Sequence, residues 1–237
     1  MKRTAAIAAI ILPACVILVA GMTRQPAPAA SLVVLPEKEE RVVPAPAQVQ
    51  RYIGFDPDTD YLSVMVDCCL RGDLEAGEEA ARQRNLKIDT LELDEVKVDF
   101  TDLYLLAKII TAEAGSSWLP AEWKMMVGEV LLNRVASPEF PDTIEECVYQ
   151  RGQYSGTSNG YFDRLTPFED CVRIAVRLLE GERILNDPSV VFQANFRQGS
   201  GVHTTLYDEI LGYTYLCHSN NPHLYEGGAS NGIHQEH

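Results

Sequence analysis

Apolar residues recur at helical steps through most of this chain and switch to alternate positions near its C-terminal end. From Asp60 to Ile88 the stripe Leu62, Val66, Cys69 and Leu70 marks one helix face, Gly72-Asp73 interrupts it, and Leu74 to Leu86 resumes, predicting a helical hairpin. Its charged residues suit a solvated face. Thr101 offers an N-cap for a helix carrying Leu105, Leu106, Ile109 and Ile110 inward. Another helix is predicted from Pro120, with Trp123, Met126, Val127, Val130 and Leu131 inward, ending near Asn133 and Arg134. A short one follows over Thr143 to Tyr149, then a long polar loop from Arg151 to Arg164, a length associated with function or mobility. Thr166, Pro167 and Glu169 form a capping-box signature for a last helix that stops at Gly181. Beyond it Val190, Phe192 and Ala194, and later Tyr213, Tyr215 and Cys217, alternate with their neighbours and read as a strand pair. The pattern predicts an α+β chain, helix-rich with a small β-sheet and preceded by the helical hairpin.

The N-terminal segment is of another kind. Lys2 and Arg3 precede an apolar run from Thr4 to Met22, so residues 1–24 read as a signal peptide or a membrane anchor. The run is close to the roughly 20 residues that span a bilayer, and Ala27 to Ala30 offer a cleavage site, so both fates stay open. Either one places the remainder outside the cytoplasm, secreted or held at the membrane through residues 4–22. Residues 25–50, rich in Pro, Ala and Val, suit an extended linker, and the Gly-, Ser- and His-containing tail 227–237 suits disorder. That leaves 51–95 for the hairpin and 96–226 for the domain that could carry chemistry.

The formal charge of −14, with no clustered Lys or Arg, argues against a nucleic-acid partner and against bulk attraction to an anionic polymer. Past Cys15 five cysteines remain, an odd number, so at least one thiol is free or pairs between chains. No CxxC spacing occurs, and buried small apolar side chains are the simplest role. His203, His218 and His223 match no helix-borne ligand pair, so no metal and no cofactor is expected.

Glu113 is the carboxyl group whose context is hardest to explain by structure alone, because it continues an apolar helix stripe just before Gly115. A carboxyl group withdrawn from water has its charged form disfavoured, which suits it to general acid work. Equally, periodicity allows the helix to end there with the side chain in solvent.

Around that residue run LLAKIITAEAG, then GEVLLNRVASPEFPDTIEECVYQ, then GQYS, and later a helix that opens on TP and ends in LLEGE. In order and spacing these motifs, over about residues 103–225, resemble the SleB/CwlJ-type cell-wall hydrolases, which include spore cortex-lytic enzymes. The resemblance implies a lysozyme-like fold and Glu113 as the catalytic residue. It further implies cleavage of the glycan strand of peptidoglycan, of the muramidase or lytic transglycosylase type, in which one carboxyl group serves as acid and then base. Asn133, Arg134, Gln153, Tyr154 and Ser155 match motif positions and have side chains suited to binding sugar. Helix capping would equally explain Asn133 and Arg134, and plain turn composition would explain the other three. A hydrolase would ask for a second carboxylate, for which Glu129 and Asp163 are candidates. The chain departs from the pattern at Gly115, Ser116 and Ser117, where relatives commonly carry Arg, Gly and Glu, and it adds Trp118, either a sugar platform or a wedge between helices. Two other readings remain: an N-acetylmuramoyl-L-alanine amidase, normally a zinc enzyme, and a wall-binding module without activity.

Overall fold

The Gly72-Asp73 pair both stops one helix and starts the next. In a computed structural model that describes residues 54–157 and 160–225, α1 (Tyr61–Arg71) is capped by Asp60, whose carboxylate accepts the Ser63 N–H at 3.1 Å. It ends on Gly72 at φ 68°, a left-handed position that costs glycine least. Asp73 then accepts the Ala76 N–H at 3.2 Å and opens α2 (Leu74–Leu91). The leader, the linker and the tail expected at the two ends lie outside the described residues. Within those residues no helix is long and apolar enough to cross a membrane.

The buried face of α1 is Tyr61, Met65, Cys68 and Cys69, while the expected Leu62, Val66 and Leu70 flank it half-buried. That face does not close on α2 alone. Met65, Cys68, Cys69, Ala80 and Ala81 share one apolar core with Phe100, Leu106 and Ile110 of α3 (Phe100–Ala114) and with Cys171 and Ala175 of α7 (Glu169–Leu179). Gly77 receives the Phe100 ring so closely that an added Cβ would lie 2.1 Å from the ring's Cζ. The hairpin is thus an integral layer of the same body.

Asp99, not Thr101, caps α3, accepting the Asp102 N–H at 3.0 Å, and Thr101 falls in the exposed first turn. α4 (Ala121–Val135) is buried on nearly every side, so even Lys124, Glu129, Asn133 and Arg134 are enclosed. At Gly128 an added Cβ would meet Leu178 Cδ1 at 2.5 Å and Ile110 Cδ1 at 2.9 Å, so α3 and α7 press on α4 there. α5 (Ile144–Tyr149) starts on the expected Thr143 cap. The predicted 151–164 loop contains a 3-10 turn at Ser155–Thr157 and α6 (Tyr161–Arg164). The capping box at Thr166 does not form: α7 begins after Phe168 with no side-chain cap. The Phe168 N–H instead donates to Thr111 Oγ1 of α3 at 3.1 Å, so a tertiary partner satisfies this orphan donor.

The sheet has three antiparallel strands, β1 (Val190–Ala194), β2 (Val202–Asp208) and β3 (Gly212–His218), in the order β1-β3-β2. β1 and β3 pair as the alternation predicts; β2, which joins them, was not expected. Val190 and Leu216, with Leu206 partly buried beside them, pack on Val130 and Met126 of α4. The chain is α+β and helix-rich, as its hydrophobic periodicity foretells. All five described cysteines are free and buried.

Candidate active site

Glu113 occupies the last turn of α3, where the apolar stripe of that helix runs out into an open cleft. The cavity measures about 690 Å³, and its walls include Thr111, Ser116, Tyr161, Phe168, Asp170 and Leu211. Four elements converge here: the end of α3, the start of α6, the start of α7 and the tip of the β2–β3 hairpin. By surface area the Glu113 side chain is exposed, yet the protein packed around its carboxyl group is dense enough to raise its pKa by desolvation. Both descriptions hold for a group on the floor of a cleft, touching solvent on one side only. Arg134 works in the opposite direction and holds the carboxyl group partly down. The two are not an ion pair, since no nitrogen–oxygen contact within 4 Å joins them.

Arg134 is 4% exposed and fixed from several sides. Its Nε donates to the Val191 carbonyl at 2.7 Å, and its guanidinium carbon sits 5.4 Å from the Phe140 ring centre and 5.2 Å from that of Tyr154. Its Nη1 is buried with no hydrogen-bond partner among the described residues. Burial pushes the Tyr154 hydroxyl up to about 12, with Arg134 opposing and Glu113 adding to the rise. Glu113, Arg134 and Tyr154 therefore form one electrostatic unit, assembled from α3, α4 and the loop after α5.

The other sequence candidates are placed differently. Asn133, next to Arg134 on α4, donates its amide to the carbonyls of Asp187 and Val190 at 3.0 and 3.1 Å, tying α4 to the entry of β1. Neither residue acts as a helix cap. Gln153 is half-buried in a turn whose backbone N–H bonds to the Gln150 carbonyl. Ser155 opens the 3-10 turn, and its side chain lies outside what the structure describes.

Glu129 is not a solvated carboxylate. It is 1% exposed, and its Oε2 accepts the backbone N–H groups of Ile184 and Leu185 at 2.8 and 3.0 Å. Asp163 is exposed on α6, where its backbone carbonyl accepts Lys108 Nζ at 3.3 Å. The second carboxylate of the cleft is Asp170, which sequence reasoning passed over as part of a helix start. It accepts a hydrogen bond from Lys124, whose side chain is only 1% exposed. Burial works to raise the Asp170 carboxyl, but the Lys124 hydrogen bond and charge outweigh it, and the group ends below its ordinary range. Asp170 is thus the ionised partner of a protonatable Glu113 in the same cavity.

Trp118 is no wedge between helices. It stays 54% exposed, near the Asp208 carboxylate that accepts the N–H groups of Ile210 and Leu211 at 2.9 Å. The loop after α3 thus comes close to the hairpin tip that walls the cleft. His218 meets Ser189 at 2.9 Å and Asp187 at 3.6 Å, on the far side of the sheet's entry. Among the described residues no group of three His, Cys, Asp or Glu side chains is arranged to hold a metal ion.

Residues 120–201 match the model of the cell wall hydrolase family, in agreement with the resemblance read from the motifs. The match supports hydrolysis of peptidoglycan as the general activity. It spans α4 to the start of the β2–β3 hairpin and takes in Arg134, Tyr154 and Asp170, while Glu113 lies seven residues before it. No curated protein and no solved structure matches the chain.

Proposed function

We propose that this protein cleaves the glycan strand of peptidoglycan outside the cytoplasm, with Glu113 as the catalytic acid. The observation that carries the reading is the pairing, within one cavity, of a carboxyl group raised by desolvation with one held ionised by a buried lysine. Divergent environments for two carboxyl groups are how a proton donor and an anion coexist at neutral pH.

Glu113 would protonate the glycosidic oxygen as the bond to the anomeric carbon breaks. Asp170, ionised, would lower the energy of the positive charge developing on the sugar ring. In a lytic transglycosylase course, the deprotonated Glu113 next takes the proton of the muramic 6-hydroxyl, whose oxygen closes on the anomeric carbon. In a hydrolytic course a water molecule takes that place. Arg134, buried behind the cleft, acts on Glu113 through its charge, opposing the rise that desolvation causes. Tyr154, held neutral by its surroundings, can donate its hydroxyl.

The test is digestion of purified sacculi by the full chain, with mass spectrometry of the fragments. Anhydro-muropeptides are expected; reducing-end sugars would assign hydrolysis, and free stem peptides would assign the amidase. Glu113→Gln keeps the shape and removes the proton, and turnover should fall by about 10²–10⁴, the usual contribution of a general acid. Turnover equal to the unmodified protein would overturn the assignment.

A further inference from the structure

The outer face of the sheet carries an aromatic row that neither the fold nor the cleft chemistry requires. Tyr207 on β2 stands opposite Tyr213 on β3, their ring centres 4.8 Å apart, and Tyr213 stacks on Tyr215 at 5.9 Å with the planes only 16° apart. Arg197 covers the far end, its guanidinium carbon 5.4 Å from the Tyr215 ring centre. Tyr207 and Tyr213 are 60% and 52% exposed, on the face opposite the one that packs on α4. Cross-strand aromatic pairing stabilises a hairpin modestly. It does not explain a row of three rings, two of them left in water, with a cation at its end.

Position explains more. At one end the row meets the hairpin tip, where Leu211 is already a wall of the Glu113 cleft. At the other end Thr205, paired with Tyr215, and Arg197 both belong to a second cavity of about 610 Å³, lined also by Gln198, Ser200 and His203. Along the hairpin the row therefore lies between a residue that walls the cleft, Leu211, and residues that line the polar cavity, Thr205 and Arg197. Flat rings flanked by hydroxyl, amide and guanidinium donors form the surface that binds a pyranose chain, whose ring faces are apolar and whose edges are hydroxyl and acetamido groups. From Val202 to Tyr207 the strand runs about 17 Å at about 3.3 Å per residue, long enough for more than one sugar.

We propose that Tyr207, Tyr213 and Tyr215, with Arg197, form a platform that holds the glycan strand beyond the catalytic cleft and feeds it to Glu113. The proposal rests on the glycan-cleaving reading above, and it makes the protein act along strands instead of on isolated linkages. The β2–β3 hairpin, residues 202–218, lies after the segment that matches the family model, whereas Arg197 lies within it.

Binding is measured on the full chain carrying Glu113→Gln, by calorimetry with peptide-free glycan strands and with a soluble N-acetylglucosamine hexamer as probes. Tyr213→Thr removes the ring and keeps a strand-favouring residue; Tyr213→Trp restores a stacking face. The Thr variant should bind the long strands about five- to tenfold more weakly, the size of one aromatic stacking contact, and the Trp variant should recover affinity. Unchanged far-ultraviolet circular dichroism shows that the hairpin persists. Equal affinity of folded Tyr207→Thr and Tyr213→Thr variants for the strands would overturn the platform. Failure of the Glu113→Gln parent to bind either probe would do the same. Loss of the platform leaves anhydro-muropeptide release from sacculi as the separate readout of Glu113. Conversely, release of stem peptides with ring-dependent strand binding intact would sink the glycan-cleaving reading alone.

Discussion

Replacing Glu129 separates two roles that a buried carboxyl group on a central helix could have. In the structure its Oε2 accepts two backbone N–H groups, that of Leu185 buried and that of Ile184 partly so, where the chain turns from α7 into β1. Glu129→Met keeps the bulk and deletes the acceptor. A buried orphaned donor costs about 1–3 kcal/mol, so with about 2 for Leu185 and about 1 for the less enclosed Ile184 the loss is about 3 kcal/mol. At about 2–4 °C per kcal/mol for a domain of this size, the melting temperature falls by about 6–12 °C. Glu129→Gln retains an acceptor oxygen that can serve both donors, and should cost about 1 kcal/mol or less with turnover on sacculi preserved. Scanning calorimetry and a dye-release assay on labelled sacculi, run on both variants, check the pair. If Glu129→Gln lost turnover by 10²-fold while keeping its melting temperature, the structural account would be wrong and Glu129 would belong to the chemistry.

Four further outcomes are expected. Arg134→Met removes the cation that holds the Glu113 carboxyl group down, so the alkaline limb of the kcat/KM profile on sacculi should move to higher pH; an unmoved or acid-shifted limb would contradict the coupling. Because the folded-state pKa of Glu113 is raised, the folded protein binds more protons than the unfolded chain between the two values, and stability falls as pH rises through that window. Glu113→Gln should therefore raise the melting temperature at neutral pH and leave it unchanged well below the ordinary carboxylate range, as thermal scans across pH would show. Asp170→Ala strands the buried Lys124 and should destabilise the fold more than Lys124→Met, which leaves only a half-solvated carboxylate; urea unfolding in which the order is reversed would refute the asymmetry. Gly77→Ala drives a methyl group into the Phe100 ring, and the overpacking of about 1–3 kcal/mol should outweigh the gain of about 1 kcal/mol from helix propensity.

What the sequence made legible was local. The α1–α2 break, α4, α5 and the β1–β3 pairing follow from period and from residues that cap or break, and each depends on neighbours within a few positions. Glu113 stood out because a carboxyl group interrupted an apolar stripe, which is again a local contradiction. The misreadings share a tertiary cause. Thr166 gave way as a cap because Thr111, 57 residues before Phe168, accepts the Phe168 N–H. Glu129 stood as a candidate second carboxylate because the N–H groups it accepts are 55 and 56 residues distant and invisible to local pattern. β2 escaped notice because its buried-side positions, Val202, Thr204 and Leu206, alternate with His203, Thr205 and Tyr207 too weakly in polarity to signal a strand. Asp170 and Leu211 entered the cleft only once α7 and the hairpin tip had been placed in space.

The shared core of the N-terminal hairpin redraws where this enzyme begins. Met65, Cys68 and Cys69 share a core with residues of α3 and α7, so a fragment starting at α3 would leave apolar surface of both helices bare to water and bring Glu113 to no fixed orientation. Proteolytic trimming should accordingly halt ahead of Tyr61, and amide exchange in α1 should be as slow as in α3. The heritable unit that engineers would graft or swap is the seven-helix body with its sheet, and its first two helices travel with the cleft as its foundation.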